Sequence, residues 1–331
     1  MLYASLKSIG AYVPNSIMSN KDFEKIVDTT EEWIEQRTGI KQRHIASKDQ
    51  ATSDLAYEAA KVAIQRANLE LHDIDAIICA TITPDFFCMP STACVIADKL
   101  GIKFATAFDI SAACSGFVYA LGIAKSFIES GMKKNVLIVG AEKMSSIVDY
   151  SDRATCVLFG DGAGAAIISS TDDKAKAILD VKTSSDGEYQ DFLITKGCGS
   201  RNPCTKEMLD QKKQFLKMKG NETFKLAVNT LTKDVKEILK TNSLSSEDID
   251  FFIPHQANLR IIDAVGKKLN FPNEKIVLTV SKYGNTSAAS IPMAINDWYE
   301  SGKLQKNNLM LLDTFGGGLT WGSALVHFAI D

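Results

Sequence analysis

The strongest constraint on this chain is that it repeats itself. Leu55-Ala56 and Leu226-Ala227 each open an amphipathic run, 171 residues apart. Glu129-Ser130-Gly131 and Glu300-Ser301-Gly302 each close one at that same spacing of 171. Between these anchors Asp73-Ile74-Asp75 precedes the apolar run Ala76–Ala80, and Asp248-Ile249-Asp250 precedes Phe251–Ile253, at a spacing of 175. After each E-S-G come lysines, an asparagine and another apolar run, Val136–Val139 and Leu309–Leu312. One shared tripeptide is chance; a whole shared order at nearly one spacing is the mark of duplication.

Within each half, strand and helix patterns alternate. Runs such as Ala76–Ala80 and Val136–Val139 are continuously apolar, as strands covered on both faces are. The helices between them carry spaced apolar residues, as in Leu121, Ala124 and Ile128. With 331 residues, 45% of them hydrophobic, the chain can fill a large core. The expected class is α/β, with sheets covered by helices. Two related halves, residues 1–172 and 173–331, are expected around a pseudo-twofold axis, because the pattern breaks at Ser170–Ala175.

Composition narrows the function. Lys plus Arg total 37 and Asp plus Glu 40, a net charge of −3. That balance lacks the clustered positive excess of a nucleic-acid binder. No apolar run approaches the ~20 residues of a membrane span, and the first residues lack the layout of a signal peptide. No membrane partner and a cytoplasmic location are therefore expected. The seven cysteines include no C-x-x-C pair, so neither a disulfide framework nor a metal site is expected.

One cysteine stands apart. Phe104–Ile110 reads as a strand, and Ser111-Ala112-Ala113-Cys114-Ser115-Gly116-Phe117 leads from it into a helix ending at Ser130. Cys114 is expected on a tight strand-to-helix turn, among small residues that let backbone and substrate approach. Free N–H groups and the positive dipole end there favour a thiolate and can hold an oxyanion. The plainer alternative for it is a buried structural cysteine; the other six lack this setting and are read as structural. Counting 171 onward from Cys114 reaches Asn285, in Tyr283-Gly284-Asn285-Thr286-Ser287-Ala288-Ala289-Ser290. This asparagine is expected to follow a strand (Val277–Val280) and precede a helix (Ile291–Glu300), at a place equivalent to that of Cys114. Outside the repeat it would read as a helix cap or turn residue.

His255 follows the strand Phe251–Ile253, at the carboxyl end where open α/β sheets bind ligands. A lone histidine there is otherwise a structural residue; His44, in a basic surface stretch, His72 and His327 lack comparable company. The glycines of Phe315-Gly316-Gly317-Gly318 turn a hairpin after Leu309–Leu312. One of their bare N–H groups, with that of Cys114, would make an oxyanion hole. Gly160-Asp161-Gly162-Ala163-Gly164 mimics a dinucleotide loop, but strand-like Ala165–Ile168 follows it instead of a helix, so NAD binding is rejected.

Further motifs cover nearly the whole chain: T-T-E-E-W-I-E-Q-R-T-G-I (29–40), F-G-D-G-A-G-A (159–165), L-K-M-K-G-N-E-T-F (216–224), P-H-Q-A-N-L-R (254–260) and F-G-G-G-L-T-W-G-S-A-L (315–325). With the A-A-C-S-G-F and G-N-T-S-A-A turns, they make the chain resemble the beta-ketoacyl-[acyl-carrier-protein] synthase III family of the thiolase superfamily, in its Cys-His-Asn branch. The resemblance implies a thiolase-like duplicated αβαβα sandwich and an acyltransferase with no cofactor beyond its substrates. It would join a short acyl-CoA, acetyl-CoA first among them, to malonyl-acyl carrier protein by decarboxylative Claisen condensation, initiating fatty acid synthesis. It implies Cys114 as nucleophile and His255 and Asn285 as donors to the enolate oxygen. Cys114 and Gly317 would supply the oxyanion hole.

The same resemblance implies CoA binding by Thr29, Trp33, Arg37 and Arg153. Without it, Trp33 could staple to the core a short helix that Thr29 and Glu32 open as a capping box, and the arginines would be surface ion-pair residues. Acyl carrier protein is implied to dock on the helix face of Arg260, Lys267 and Lys268, whose spacing puts them on one side; a solvated charged face is the bland alternative. Met89 and Leu319 stand at acyl-pocket positions where the family commonly has phenylalanine, Met89 reaching the pocket across an implied homodimer. The stretch Gly197–Lys212 matches the family poorly and reads as a longer loop.

Rival readings differ in class. Papain-like peptidases share the order Cys, His, Asn, but their signature is absent and the repeat opposes them. A related condensing or acyl-transfer enzyme of polyketide or signal-molecule biosynthesis would carry nearly the same motifs. A non-catalytic acyl-binding subunit would usually have lost the nucleophile.

Overall fold

The computed structural model describes residues 2–330. Two sheets form its frame. The first comprises β1 (Tyr3–Tyr12), β2 (Ala76–Ala80), β3 (Thr106–Ile110), β4 (Asn135–Glu142) and β5 (Gly162–Thr171), in the order β1-β5-β4-β2-β3. The second comprises β6 (Ile178–Ser185), β7 (Phe251–Pro254), β8 (Leu309–Gly316) and β9 (Thr320–His327), in the order β7-β8-β9-β6. In the first, β2 runs parallel to β3 and β4, while β5 is antiparallel to β4 and β1. The second repeats this: β7 is parallel to β8, and β9 is antiparallel to β8 and β6. The chain leaves the first sheet at Thr171 and enters the second at Ile178.

Among the described residues, six helices of nine or more residues cover the sheets and a shorter one caps them. α2 (Thr52–Ala67) and α3 (Thr92–Leu100) pack on the outer side of the first, α5 (Gly220–Thr241) and α6 (Leu259–Lys268) on the outer side of the second. Between the sheets lie α4 (Gly116–Glu129) and α7 (Ser290–Glu300); α1 (Glu31–Thr38) belongs to a cap over one end. The period-two strand geometry explains the continuous apolar runs. Ile77, Cys79, Leu137 and Val139 face the α2–α3 layer, while Ala76, Ile78, Val136 and Ile138 face the central helices. Met310 and Leu312 meet the same central core from the other sheet, and Leu309 and Leu311 face α5. Each of the Ile, Leu, Val and Met side chains among these contributes roughly 1.5–3 kcal/mol by leaving water. The fold is the expected duplicated αβαβα sandwich.

Three local expectations need correction. Phe104 and Ala105 do not extend β3; Phe104 turns the chain at φ 64. The expected strand Val277–Val280 is absent. One parallel bridge, Phe252 to Ile276, stands where β3 stands in the first half, and Val280–Tyr283 is a helical turn. Gln256 is the reason. Its buried amide donates to the carbonyls of Pro254 (2.8 Å) and Val277 (3.0 Å) and accepts from the N–H groups of Thr279 (2.7 Å) and Val280 (3.1 Å). One side chain thereby replaces a strand partner.

The third correction concerns the register of the repeat. α4 and α7 open 174 residues apart, at Gly116 and Ser290, but end 171 apart, at Glu129 and Glu300. α7 has lost nearly one turn, so a count taken from the helix ends misplaces its start. The structural partner of Cys114 is Ala288, and Asn285 lies three residues ahead of it. The matched pair just before is Ala113 (φ 47) and Ser287 (φ 49), both left-handed.

Gln256→Leu should strand several buried backbone groups at once. At ~1–3 kcal/mol for each unsatisfied group, urea denaturation should show a loss of roughly 3–5 kcal/mol; a loss below 1 kcal/mol would show that this side chain does not hold the segment.

Candidate active site

The two helix-start turns meet where the sheets' strand ends converge. The turn carrying Cys114 is clamped by the β8–β9 hairpin: Thr314 Oγ1 donates to the Cys114 carbonyl (2.9 Å), Thr320 Oγ1 to that of Ala112 (2.8 Å), and Ser115 Oγ to that of Thr320 (3.1 Å). The approach needs Gly316, because a Cβ there would lie 2.7 Å from Cys114 N and 3.2 Å from its Cβ. Cys114 is buried, and burial pushes its thiol up to about 12, with the Glu142 charge adding and the Ser287 side chain opposing. The thiolate expected from the helix start is therefore not the resting form.

His255 continues the β7–β8 pairing, its N–H donating to the Asp313 carbonyl at 2.7 Å. Its Nδ1 lies 2.6 Å from Ser290 Oγ. That oxygen already accepts the Gln256 N–H at 3.3 Å, so its own proton is directed to Nδ1 and the ring hydrogen belongs on Nε2. Burial pulls the imidazole down to about 3, so it is neutral at pH 7. Asn285 is held through its backbone, N–H to Leu158 O (2.9 Å) and carbonyl from Gly160 N–H (3.0 Å). Its Oδ1 accepts the Ser287 N–H at 2.9 Å, which assigns the Nδ2 amide to the cavity side. His255 and Asn285 thus both offer N–H donors.

Cys114, His255 and Asn285 line one cavity of about 280 Å³, with Gly316 at its base and Phe224, Arg260, Arg37 and Trp33 farther out. Cys114 also lines a second cavity of about 700 Å³, walled by Ile82, Phe87, Met144, Leu193, Ser287 and Gly317. The sulfur stands at the junction. Gly317, expected in the oxyanion hole, lines the second cavity beside Cys114, while Gly316 lines the first.

The other expected residues divide. The guanidinium carbons of Arg37 and Arg153 lie 5.0 Å and 4.8 Å from the centre of the Trp33 ring. Arg153 is also tied to the Asp28 carbonyl (2.6 Å) and lines neither cavity. The expected Thr29–Glu32 box is displaced by one residue: Thr30 caps α1, its Oγ1 accepting the Trp33 N–H at 3.1 Å, and the Thr29 hydroxyl is buried without a partner. Arg260, Lys267 and Lys268 are exposed on α6; Arg260 lies 5.5 Å over the Phe224 ring at the cavity rim, and Lys268 donates to Asn229 (3.0 Å). Met89 is 80% exposed and Leu319 is 1% exposed in the core under α5; neither lines either of these two cavities. His44 is half-buried against Pro14 and Tyr283, not a surface residue.

Some lining residues had no assigned role in the sequence. Met218, Asn221 and Phe224 line the first cavity from the L-K-M-K-G-N-E-T-F segment, which stood out only as a motif. Gly197 and Cys198, from the poorly matching stretch, wall the second cavity, and Lys206–Asp210 of that stretch is a helical turn. Ser287 and Ser290, lying within a quoted motif, gain their meaning only from what they touch.

Comparisons with known proteins place the whole chain beside one family. The family described as 3-oxoacyl-[acyl-carrier-protein (ACP)] synthase III matches residues 108–187, and its C-terminal counterpart matches residues 239–328. The beta-ketoacyl-[acyl-carrier-protein] synthase III of Sulfurovum sp. (strain NBC37-1) is 66% identical over 328 residues, covering 99% of this chain and 96% of that one. That of Aliarcobacter butzleri (strain RM4018) is 64% identical over 329 residues, covering 99% of both. The crystal structure of 3-oxoacyl-[acyl-carrier-protein] synthase III from Aquifex aeolicus VF5 superposes with a TM-score of 0.91 at 46% identity, covering 98% of this chain and 100% of that one.

The assigned tautomer is testable by ¹⁵N NMR of labelled histidine. His255 should keep one protonated and one bare ring nitrogen from pH 8 to pH 5; a midpoint near the ordinary ~6.5 would contradict it. Because the folded value lies below the unfolded one, the stability carried by the neutral ring is complete above about pH 6.5. It should decline as pH falls toward 3, visible as a falling unfolding midpoint.

Proposed function

The chain belongs to the 3-oxoacyl-[acyl-carrier-protein] synthase III family, and from that premise we propose that it condenses a short acyl-CoA with malonyl-acyl carrier protein, releasing CO2 and initiating fatty acid synthesis. One observation carries this reading at the level of residues: a single sulfur lies at the junction of two cavities and shares the narrower one with two neutral N–H donors.

Cys114 attacks the thioester and keeps the acyl group, which extends into the second cavity, while CoA leaves through the first. Malonyl-acyl carrier protein then enters along the same path. Loss of its carboxylate as CO2 puts negative charge on the thioester oxygen, where His255 Nε2–H and the Asn285 amide donate. The donors are neutral before the step and need not give up a proton during it. The resulting carbanion attacks the acyl carbon on Cys114, and the N–H groups of Cys114 and Gly317 receive the oxyanion. Product leaves as the beta-ketoacyl carrier protein.

The outer parts of the site suit the two carriers. Trp33, flanked by Arg37 and Arg153, offers a stacking face and phosphate partners to CoA beside Thr29. Arg260 at the rim, with Lys267 and Lys268 along the exposed face of α6, gives acidic acyl carrier protein a docking surface that ends at the cavity mouth. A homodimer is supported by the unpaired edge of β3 and by the exposed Phe87, Met89 and Phe104; in such a dimer Met89 would meet the partner's acyl pocket. None of the described helices is long and apolar enough to cross a membrane, and the reaction is assigned to the cytoplasm.

Mass spectrometry after incubation with acetyl-CoA should find an acetyl adduct on Cys114 that Cys114→Ala abolishes; an adduct persisting in that variant would reject the nucleophile. His255→Ala and Asn285→Ala should each slow malonyl decarboxylation ~100- to 1,000-fold while leaving Cys114 acylation largely intact. Equal loss of both half-reactions would reject this division of roles. Lys267→Glu, on the exposed face of α6 and outside both cavity linings, should raise the KM for carrier protein several-fold and leave acetyl-CoA transfer unchanged; unchanged KM would remove α6 from the docking surface.

A further inference from the structure

Acylation of Cys114 must shed the thiol proton, and the imidazole is not free to take it: Nδ1 is held by Ser290 and Nε2 already carries hydrogen. A second path lies on the other side of the sulfur. Ser287 is fully buried and lines the second cavity with Cys114, and its side chain holds the thiol's pKa down against burial. Its hydroxyl donates at 3.0 Å to Oε1 of Glu142, which ends β4 and has no solvent exposure.

The bonds around Glu142 define its charge. Thr83 Oγ1 accepts the Lys143 N–H (2.9 Å), so its own hydrogen goes to Oε2 (2.7 Å). Thr81 Oγ1 accepts the Thr83 N–H (3.1 Å) and donates to the same oxygen (3.1 Å), where the Ile82 N–H also points (3.1 Å). Every neighbour presents a hydrogen, the pattern of an ionised carboxylate. Burial nevertheless pushes its pKa up to about 7, against those hydrogen bonds, which puts both protonation states within reach at neutral pH. No step described so far uses this carboxylate.

We propose that Ser287 and Glu142 form a proton relay that stores the Cys114 proton between the two half-reactions. Ser287 shares the second cavity with Cys114; Glu142 positions that hydroxyl and holds the proton behind it. The relay rests on the acyl-transfer function proposed above. In the first half-reaction the Cys114 proton passes to Ser287 Oγ while the Ser287 proton passes to Glu142 Oε1. The sulfur electron pair forms the new bond to the thioester carbon, the old C–S bond breaks, and CoA leaves as a thiolate that takes one proton from solvent. In the second, the carbanion displaces Cys114 as a thiolate, and the stored proton returns through Ser287. One solvent proton is consumed for each CO2 released, which balances the overall condensation. The same Ser287 donates its backbone N–H to Asn285 Oδ1, so one residue serves both half-reactions with different atoms.

Acylation should titrate with Glu142 alone near neutrality. The other titratable groups near it are the thiols of Cys114 and Cys79, both held high, and His255, held low. The Lys143 amine is turned to the Ser47 and Gln50 carbonyls, and the carboxylates of Asp85, Asp109 and Asp161 are tied to backbone N–H groups.

The test is single-turnover acylation by acetyl-CoA, read as adduct mass on Cys114 across neutral pH, beside decarboxylation of malonyl carrier protein measured without acyl-CoA. The wild-type acylation rate should rise with pH through about 7. Glu142→Gln should lower the neutral-pH rate by at least ~100-fold and move the rise to higher pH. Ser287→Ala, which keeps the backbone partner of Asn285, should do the same, with decarboxylation staying within about threefold; it also serves as the test if Glu142→Gln does not fold. Either variant acylating at the wild-type rate with the wild-type pH profile would overturn the relay, as would parallel loss of both half-reactions with that profile unchanged. A wild-type protein that takes no acyl group on Cys114 would overturn the underlying function instead.

Discussion

The contact between the turns Ala112–Gly116 and Thr286–Ser290 sets the geometry of the interior. Each holds a residue with a side chain in the left-handed region, Ala113 at φ 47 and Ser287 at φ 49. Such a conformation costs about 1–3 kcal/mol and persists only where its surroundings fix it. Here they do: Gly140 leaves room for the Ala288 carbonyl to lie against β4, Gly316 admits the Cys114 backbone, and the Thr314 and Thr320 hydroxyls hold the first turn from the hairpin. Duplication supplied two copies of one strained turn. One copy carries the sulfur; the other carries an alanine in its place, flanked by the serine hydroxyls that reach Glu142 and His255.

Burial, more than any charged partner, sets the protonation states around this contact. Moving the Cys114 thiol from its usual 9.0 to about 12 corresponds to roughly 4 kcal/mol against the thiolate. A helix start typically returns 0.3–1 kcal/mol, up to ~2 in favourable settings. Burial therefore wins over the dipole that the sequence suggested would dominate. The same low-polarity surroundings strip the charge from His255, which is what an N–H donor to a developing enolate requires. A protonated ring would bind the malonyl carboxylate and resist its departure.

Much of this was legible in the sequence because duplication and continuous apolar runs are written in residue types. β2 spans Ala76–Ala80, as its pattern required, and the Asp-Ile-Asp and Glu-Ser-Gly anchors fall at equivalent ends of matched elements. The equivalence of Cys114 with Asn285 failed because α7 is three residues shorter than α4, a difference that a single spacing cannot carry. The missing strand at Val277–Val280 failed for another reason: its backbone partner is the side chain of Gln256, and a side chain's reach is not encoded in periodicity. Thr29 and Thr30 show the limit for caps, since either hydroxyl suits the type and only the helix start decides. Ser287 and Glu142 were invisible as a pair because they lie 145 residues apart in different halves.

The unequal cavities on either side of Cys114 explain why such a reaction goes through a covalent intermediate. The first, at about 280 Å³, is lined by the N–H donors and by Trp33, Arg37 and Arg260, and in the proposed reaction both carriers deliver their thioesters through it. A passage of that size holds one thioester arm at a time. The acyl group therefore has to be detached from the first carrier before the second arrives, and a sulfur at the junction does this while leaving the chain in the second, larger and less polar chamber. Covalent storage in turn makes proton storage useful. The thiol gives up its proton in one half-reaction and needs it back in the next, and between the two its own route to solvent is filled by the incoming arm. A buried carboxyl reached from the acyl side stays accessible throughout, which is where Glu142 lies.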